Sequence, residues 1–142
     1  MFTRGVVLLI LMFFAGFAAA AADTDTKWED RAKAAFESQF ADNADKLAKS
    51  ILAFTHPSGG SPEISTHTAD FDGSIITAVI TFTWKGALTG DIYSTTITWK
   101  FDKTQHISAV VSNDTAKIKV DEEHKKKLDR WFKESMFPIV AK

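Results

Sequence analysis

The chain has 142 residues, with 17 Lys and Arg set against 18 Asp and Glu and no cysteine. A near-neutral balance offers no basic excess for nucleic acid, and the missing thiols exclude disulfides and thiolate metal ligands. Once an N-terminal export signal is set aside, about 120 residues remain, enough for one domain with a single core.

That signal occupies residues 1–22. Arg4 supplies a positive start, residues 6–14 are wholly apolar, and Ala20-Ala21-Ala22 forms a small-residue cleavage site before Asp23. The apolar run is too short for a membrane span and a polar segment follows it. The expectation is therefore an exported domain over residues 23–142, periplasmic or secreted. No later stretch is apolar for long enough to anchor it stably in a membrane after cleavage.

Asp25 or Thr26 is a candidate cap for a helix carrying Trp28, Ala32, Ala35, Phe36 and Phe40 on one stripe. Asp42 and Asp45 suggest a fresh start, followed by Ala44, Leu47, Ala48, Ile51 and Leu52 on a second stripe. The pattern fits either one kinked helix or two. The segment His56-Pro57-Ser58-Gly59-Gly60-Ser61-Pro62 ends helical structure, since prolines and paired glycines break it.

Four strands are expected next. Residues 63–71 form the weakest, joined through Asp72-Gly73 to residues 74–85 in a tight hairpin. That turn pairs Phe71 with Ser74, Ala69 with Ile76 and His67 with Ala78. In residues 74–85, Ile76, Ala78, Ile80, Phe82 and Trp84 alternate with Thr77, Thr81, Thr83 and Lys85. In residues 91–101, Tyr93, Ile97, Trp99 and Phe101 alternate with Ser94, Thr96, Thr98 and Lys100. Such period-two patterns make half-buried strands and fix their register. Pairing Trp84 with Tyr93, Phe82 with Thr95, Ile80 with Ile97, Ala78 with Trp99 and Ile76 with Phe101 brings the apolar sets together. A loop of residues 87–90 then closes the hairpin, with Gly90 free to take a positive φ. By the same logic Phe101 pairs with Ile107, turning Ala109 and Val111 of residues 107–112 inward.

Residues 116–120 read as a short strand or an extended approach to a last helix. Asp121 is its cap and Leu128, Trp131, Phe132 and Met136 its apolar stripe. Glu122–Lys126, Glu123–Lys127 and Asp129–Lys133 are spaced as i,i+4 ion pairs, and Pro138 marks the stop. The sum is an α+β fold in two layers: a four-stranded antiparallel meander with N-terminal helices and a C-terminal helix. In architecture it resembles the cystatin-like and nuclear-transport-factor-like cone folds, in which a twisted meander wraps an N-terminal helix.

Candidate sites are few. His67 is expected on the apolar face, where an imidazole needs a polar partner, and with Asp70 it is the candidate acid–base pair. His67, Trp84, Tyr93 and Trp99 are the candidate ligand-binding residues, lining a pocket between sheet and helices. His56, His67, His106 and His124 lack metal-ligand spacing. Asp102 and His106 flank one hairpin, as an exposed pair at a turn. No Gly-x-Ser-x-Gly elbow or phosphate-cradling glycine loop occurs, so neither a metal nor another cofactor is expected. The reading that follows is a non-catalytic exported domain binding a small apolar ligand or a protein partner. The alternatives are a small cone-fold hydrolase or isomerase using His67, and an inhibitor or immunity-type protein acting through residues 58–62 and 87–90.

Overall fold

A computed structural model describes residues 27–141. The expected export signal and the candidate caps Asp25 and Thr26 lie outside them. The first helix, α1 (Trp28–Thr55), carries both apolar stripes and is kinked where Asn43 leaves helical geometry (φ −131°, ψ 20°). The break falls between Asp42 and Asp45, the residues expected to mark a fresh start, and the Asn43 side chain donates back to Gln39 Oε1. Each half turns its own stripe inward: Ala32, Phe36 and Phe40 before the kink, Leu47, Ala48, Ile51 and Leu52 after it. The helix ends at Thr55, immediately before the Pro/Gly segment.

Four antiparallel strands follow in sequence order: β1 (Gly60–Asp72), β2 (Ile75–Lys85), β3 (Ile92–Phe101) and β4 (His106–Asp114). Between β2 and β3 the register matches the alternation pair for pair, from Ile76 with Phe101 to Trp84 with Tyr93. Both indoles point to the same inner side, Trp99 wholly buried and Trp84 nearly so. The opposite side is threonine-rich and half-exposed, with Thr81 hydrogen-bonded to Thr96 and Thr98 to Ser112. Gly90 takes φ +70° at the end of the connecting loop.

The flanking strands depart from simple alternation. In the first hairpin Asp72 pairs with Ile75 and the turn is Gly73-Ser74, with Gly73 at φ +66°. The expected Asp72-Gly73 turn is thus displaced by one residue and the pairing by two. An even slip keeps every side chain on its face, and it sets Phe71 opposite Ile76 in place of Ser74. His67 accordingly lies across from Ile80, not Ala78. The strand also begins earlier than residue 63, at Gly60, and two register shifts carry it in.

In β4 the central rungs, Trp99 with Ala109 and Ile97 with Val111, are those expected. At each end one extra residue is inserted: Phe101 faces His106, not Ile107, and Thr96 faces Asn113. These are β-bulges, which re-aim side chains on edge strands. Ile107 turns out to solvent, while His106 and Asp114 turn inward.

Residues 115–121 approach the last helix without forming a strand, burying Val120 and exposing Ile118. In α2 (Glu122–Trp131), Asp121 caps the His124 amide, and the stripe of Leu128, Phe132 and Met136 is buried. Of the expected ion pairs only Glu123–Lys127 forms. Glu122 pairs instead with Lys125, and Asp129 turns away from Lys133 toward β4. Pro138 does not stop the helix. The turn before it widens into a π-helical segment (Phe132–Met136), in which the Phe137 N–H donates to Phe132 O. Proline, having no N–H to bond, then fits the first turn of α3 (Phe137–Val140). The C-terminal run closes the domain where Trp28 Nε1 donates to Ala141 O at 3.1 Å.

The core is one layer of aromatic and aliphatic side chains between the sheet and these helices. A close backbone approach is at Gly59, where an added Cβ would come 2.5 Å from Trp84 Cε3. Gly59→Ala is expected to lower stability by about 1–3 kcal/mol through overpacking. Gly60→Ala, whose new methyl meets nothing within 4 Å, should change the urea midpoint little. Equal midpoints for the two variants would contradict this packing.

Candidate functional site

Each buried indole needs an acceptor for its N–H, and the two bulges of β4 help to supply both. Trp99 Nε1 donates to His106 Nδ1 at 3.0 Å, and His106 Nε2 lies 2.8 Å from Asp129 Oδ1. An indole N–H only donates, so Nδ1 is the acceptor and the ring proton sits on Nε2, aimed at the carboxylate. The Asp129 oxygen also accepts from the Ala109 amide at 2.8 Å. The His106 side chain is 4% exposed.

At the other end Trp84 Nε1 donates to Thr95 Oγ1 at 3.0 Å, and Thr95 Oγ1 donates to Asp114 Oδ1 at 3.1 Å. His56 Nε2 reaches Asp114 Oδ2 at 2.7 Å, while its ring stacks on Trp84 with centroids 4.4 Å apart. The Ala116 amide bonds Asp114 as well. Histidine, carboxylate and hydroxyl are all present, but in the wrong order for nucleophilic catalysis. A relay needs the imidazole between hydroxyl and carboxylate; here the carboxylate stands between the other two. The Thr95 proton is held by Asp114, and its lone pair by Trp84.

His67 faces the helices as expected. Its ring stacks on Phe40 at 4.1 Å and 10°, edge-on to Phe36. Its Nδ1 is 3.3 Å from Glu37 Oε2 without hydrogen-bond geometry, so that buried atom has no bonded partner. Asp70 is on the opposite, solvent-facing side of β1, and the two are not brought together. The carboxylate beside His67 is Glu37, one helical turn before Phe40. Trp84, Tyr93 and Trp99 do cluster with their neighbours, Trp84 and Tyr93 at 4.9 Å and Trp99 and Phe132 at 5.1 Å. The two indoles are covered by the helices, the His56 ring and the Gly59 backbone, so their faces are core.

Asp102 and His106 do not meet either. Asp102 Oδ1 caps its own turn, accepting from the Thr104 amide, the Thr104 hydroxyl and the Gln105 amide. The sequence weighed His56 only as a metal ligand and placed His106 in an exposed pair, not in buried networks, although one signal was there: His56 continues the Ala48–Leu52 stripe at i+4. Among the described residues no group of three or more His, Asp or Glu could hold a metal ion, and no helix is long and apolar enough to cross a membrane.

Two open hollows lie along β4. One hollow of about 390 Å³ lies between its C-terminal half and residues 116–125, with Lys117, Lys119 and Val120 among its walls. A second of about 420 Å³ lies between its N-terminal half and α2, floored by Ala109 and Leu128. Comparison of the chain with protein-family models, with curated proteins and with solved structures finds no match.

Two expectations follow, one from the Trp84 network and one from the Asp102 turn. Thr95→Val keeps shape but strips the acceptor from a buried indole and one donor from Asp114, so it should destabilise the fold by about 1–3 kcal/mol. The Trp84 indole proton should then exchange faster by NMR while that of Trp99 does not. Second, the bonds from Thr104 hold the Asp102 carboxyl below the usual carboxylate range. A lowered folded-state value means a contribution present at neutral pH and lost as acid protonates the folded carboxyl. Thr104→Ala should raise the Asp102 titration toward the model-peptide value, read from its side-chain carbon shift.

Proposed function

We propose that this chain is an exported, non-catalytic binding domain that takes a protein partner on its β4–α2 side. The observation that carries the reading is the pair of adjoining hollows along β4, which share Val111 and Lys125. The polar chemistry nearby supports it. His56, His106, Asp114 and Asp129 are each held by hydrogen bonds to buried or backbone groups, which suits a rigid docking face better than proton transfer. A small apolar ligand between sheet and helices is the weaker version, because Trp84 and Trp99 already pack against protein there.

A second reading, an inhibitor or immunity-type protein acting through its loops, is favoured by one feature. Leu88 is 100% exposed at the tip of the β2–β3 loop. Gly60 pairs with Lys85, so the loop before β1 sits at that same end of the sheet.

Selection of a randomised display library of peptides on the mature protein separates the two. Under the first reading, selected peptides shift the amide resonances of Val111 and Lys125, and Leu88→Asp leaves their affinity unchanged. Shifts confined to residues 86–92, with binding lost in Leu88→Asp, would establish the second reading in its place. Failure to select any peptide would count against both.

A further inference from the structure

The two hollows form one trough, and its walls carry a charge pattern. Consecutive β4 residues from Ile107 to Asp114 line it. A groove on one face of a strand is lined by alternate residues, so this one follows the strand's edge. Eight residues of strand span about 26 Å. Lys117 and Lys119 stand at one end, Lys125 at the junction and Lys126 at the other end.

The carboxylates in the trough are already engaged. Asp114 is held by His56 and Thr95, Asp129 by His106 and the Ala109 amide, and Glu122 by Lys125. Lys117, Lys119 and Lys126 have no ion-pair partner among the described residues. Four lysines against Asp114, Glu122 and Asp129 leave one net positive charge, but the three unpaired lysines are spread along a line, with Ile107, Val110 and Val111 as the exposed apolar surface between.

Resting on the binding-domain reading, we propose that the trough holds an extended acidic polypeptide segment of the partner. Distributed lysines suit a row of carboxylates better than one compact anion, whose charge would call for converging donors. The apolar floor calls for aliphatic side chains between those carboxylates, which sulfated sugars and phosphate backbones lack. The segment docks through its side chains and adds no fifth strand. Asp129 already occupies the Ala109 amide, and the two bulges break the ladder on either side.

The test uses a fluorescein-labelled octapeptide of alternating Glu and Val, with anisotropy measured on the mature protein at low and moderate salt. Saturable binding that weakens with salt is expected. The triple variant Lys117→Glu/Lys119→Glu/Lys126→Glu should weaken it about tenfold or more. The control Lys46→Glu/Lys49→Glu/Lys103→Glu, of equal net charge and placed elsewhere on the surface, should leave it nearly unchanged. Circular dichroism melts confirm that both variants fold. Equal loss in the two variants, equal binding of a Lys-Val octapeptide, or displacement by dextran sulfate at equal charge would each overturn the proposal. If library-selected neutral peptides shift Val111 and Lys125 while the Glu-Val peptide fails to bind, the acidic partner falls and the binding domain stands. If neither binds, both fall.

Discussion

Two indoles buried towards opposite ends of the same sheet face set the terms for the rest of this molecule. Trp84 and Trp99 lie on neighbouring strands at inward positions of the same alternation, and each brings an N–H that cannot reach water. Leaving one unbonded costs about 1–3 kcal/mol, a sizeable part of a domain's net stability. The chain answers each with a polar side chain that must itself be satisfied, and so two networks grow outward from the core. Trp84 leads through Thr95 to Asp114 and back to His56 at the end of α1. Trp99 leads through His106 to Asp129 on α2. Each network ends on a helix, so the demand of one buried N–H fixes how a helix docks on the sheet.

The bulges in β4 follow from that demand. Strict alternation would have placed Ile107 inward opposite Phe101 and left His106 in solvent, with Trp99 lacking its acceptor. One inserted residue at each end of the strand reverses the local parity and delivers His106 and Asp114 to the interior. The central rungs, with Ala109 and Val111 inward, keep the ordinary pattern. Half-satisfied buried networks are worse than apolar packing, and here hydrogen bonds close both. With no cysteine in the chain, these networks and the aromatic layer do the cross-linking that disulfides do elsewhere.

What the sequence made legible depended on where one face was thoroughly apolar. The β2–β3 register could be read pair by pair, because ten residues of alternation on each strand leave one solution. The helical stripes were equally plain, and even the break in α1 was marked by polar residues around Asn43. Legibility failed where a tertiary partner overrides local pattern. Nothing local distinguishes His106 from Ile107 as the inward residue; only the Trp99 indole does. Asp129 was spaced for Lys133 but is drawn to an imidazole and a backbone amide. The first hairpin slipped by an even number, an error that alternation cannot detect because both registers keep the same faces. Asp70 was proposed beside His67 from closeness in sequence, whereas strand geometry separates residues three apart onto opposite sides.

The same bulges shape the exposed side of β4. An edge strand with free amides invites pairing with another chain, and natural sheets blunt such edges with charge, distortion or a covering element. All three are present here: Asp129 on the Ala109 amide, the two inserted residues, and α2 alongside. Yet the covering is incomplete: Asp129 ties α2 to the strand, and a hollow remains between them. The walls of that hollow are set by buried networks, so its shape is fixed before any partner arrives, which lowers the ordering cost of binding. A device that keeps the edge from indiscriminate pairing thus leaves beside it the trough in which we propose that lysines select a partner by charge. Protection of the edge and the walls of the trough beside it both rest on the same bonds to Asp129 and Asp114.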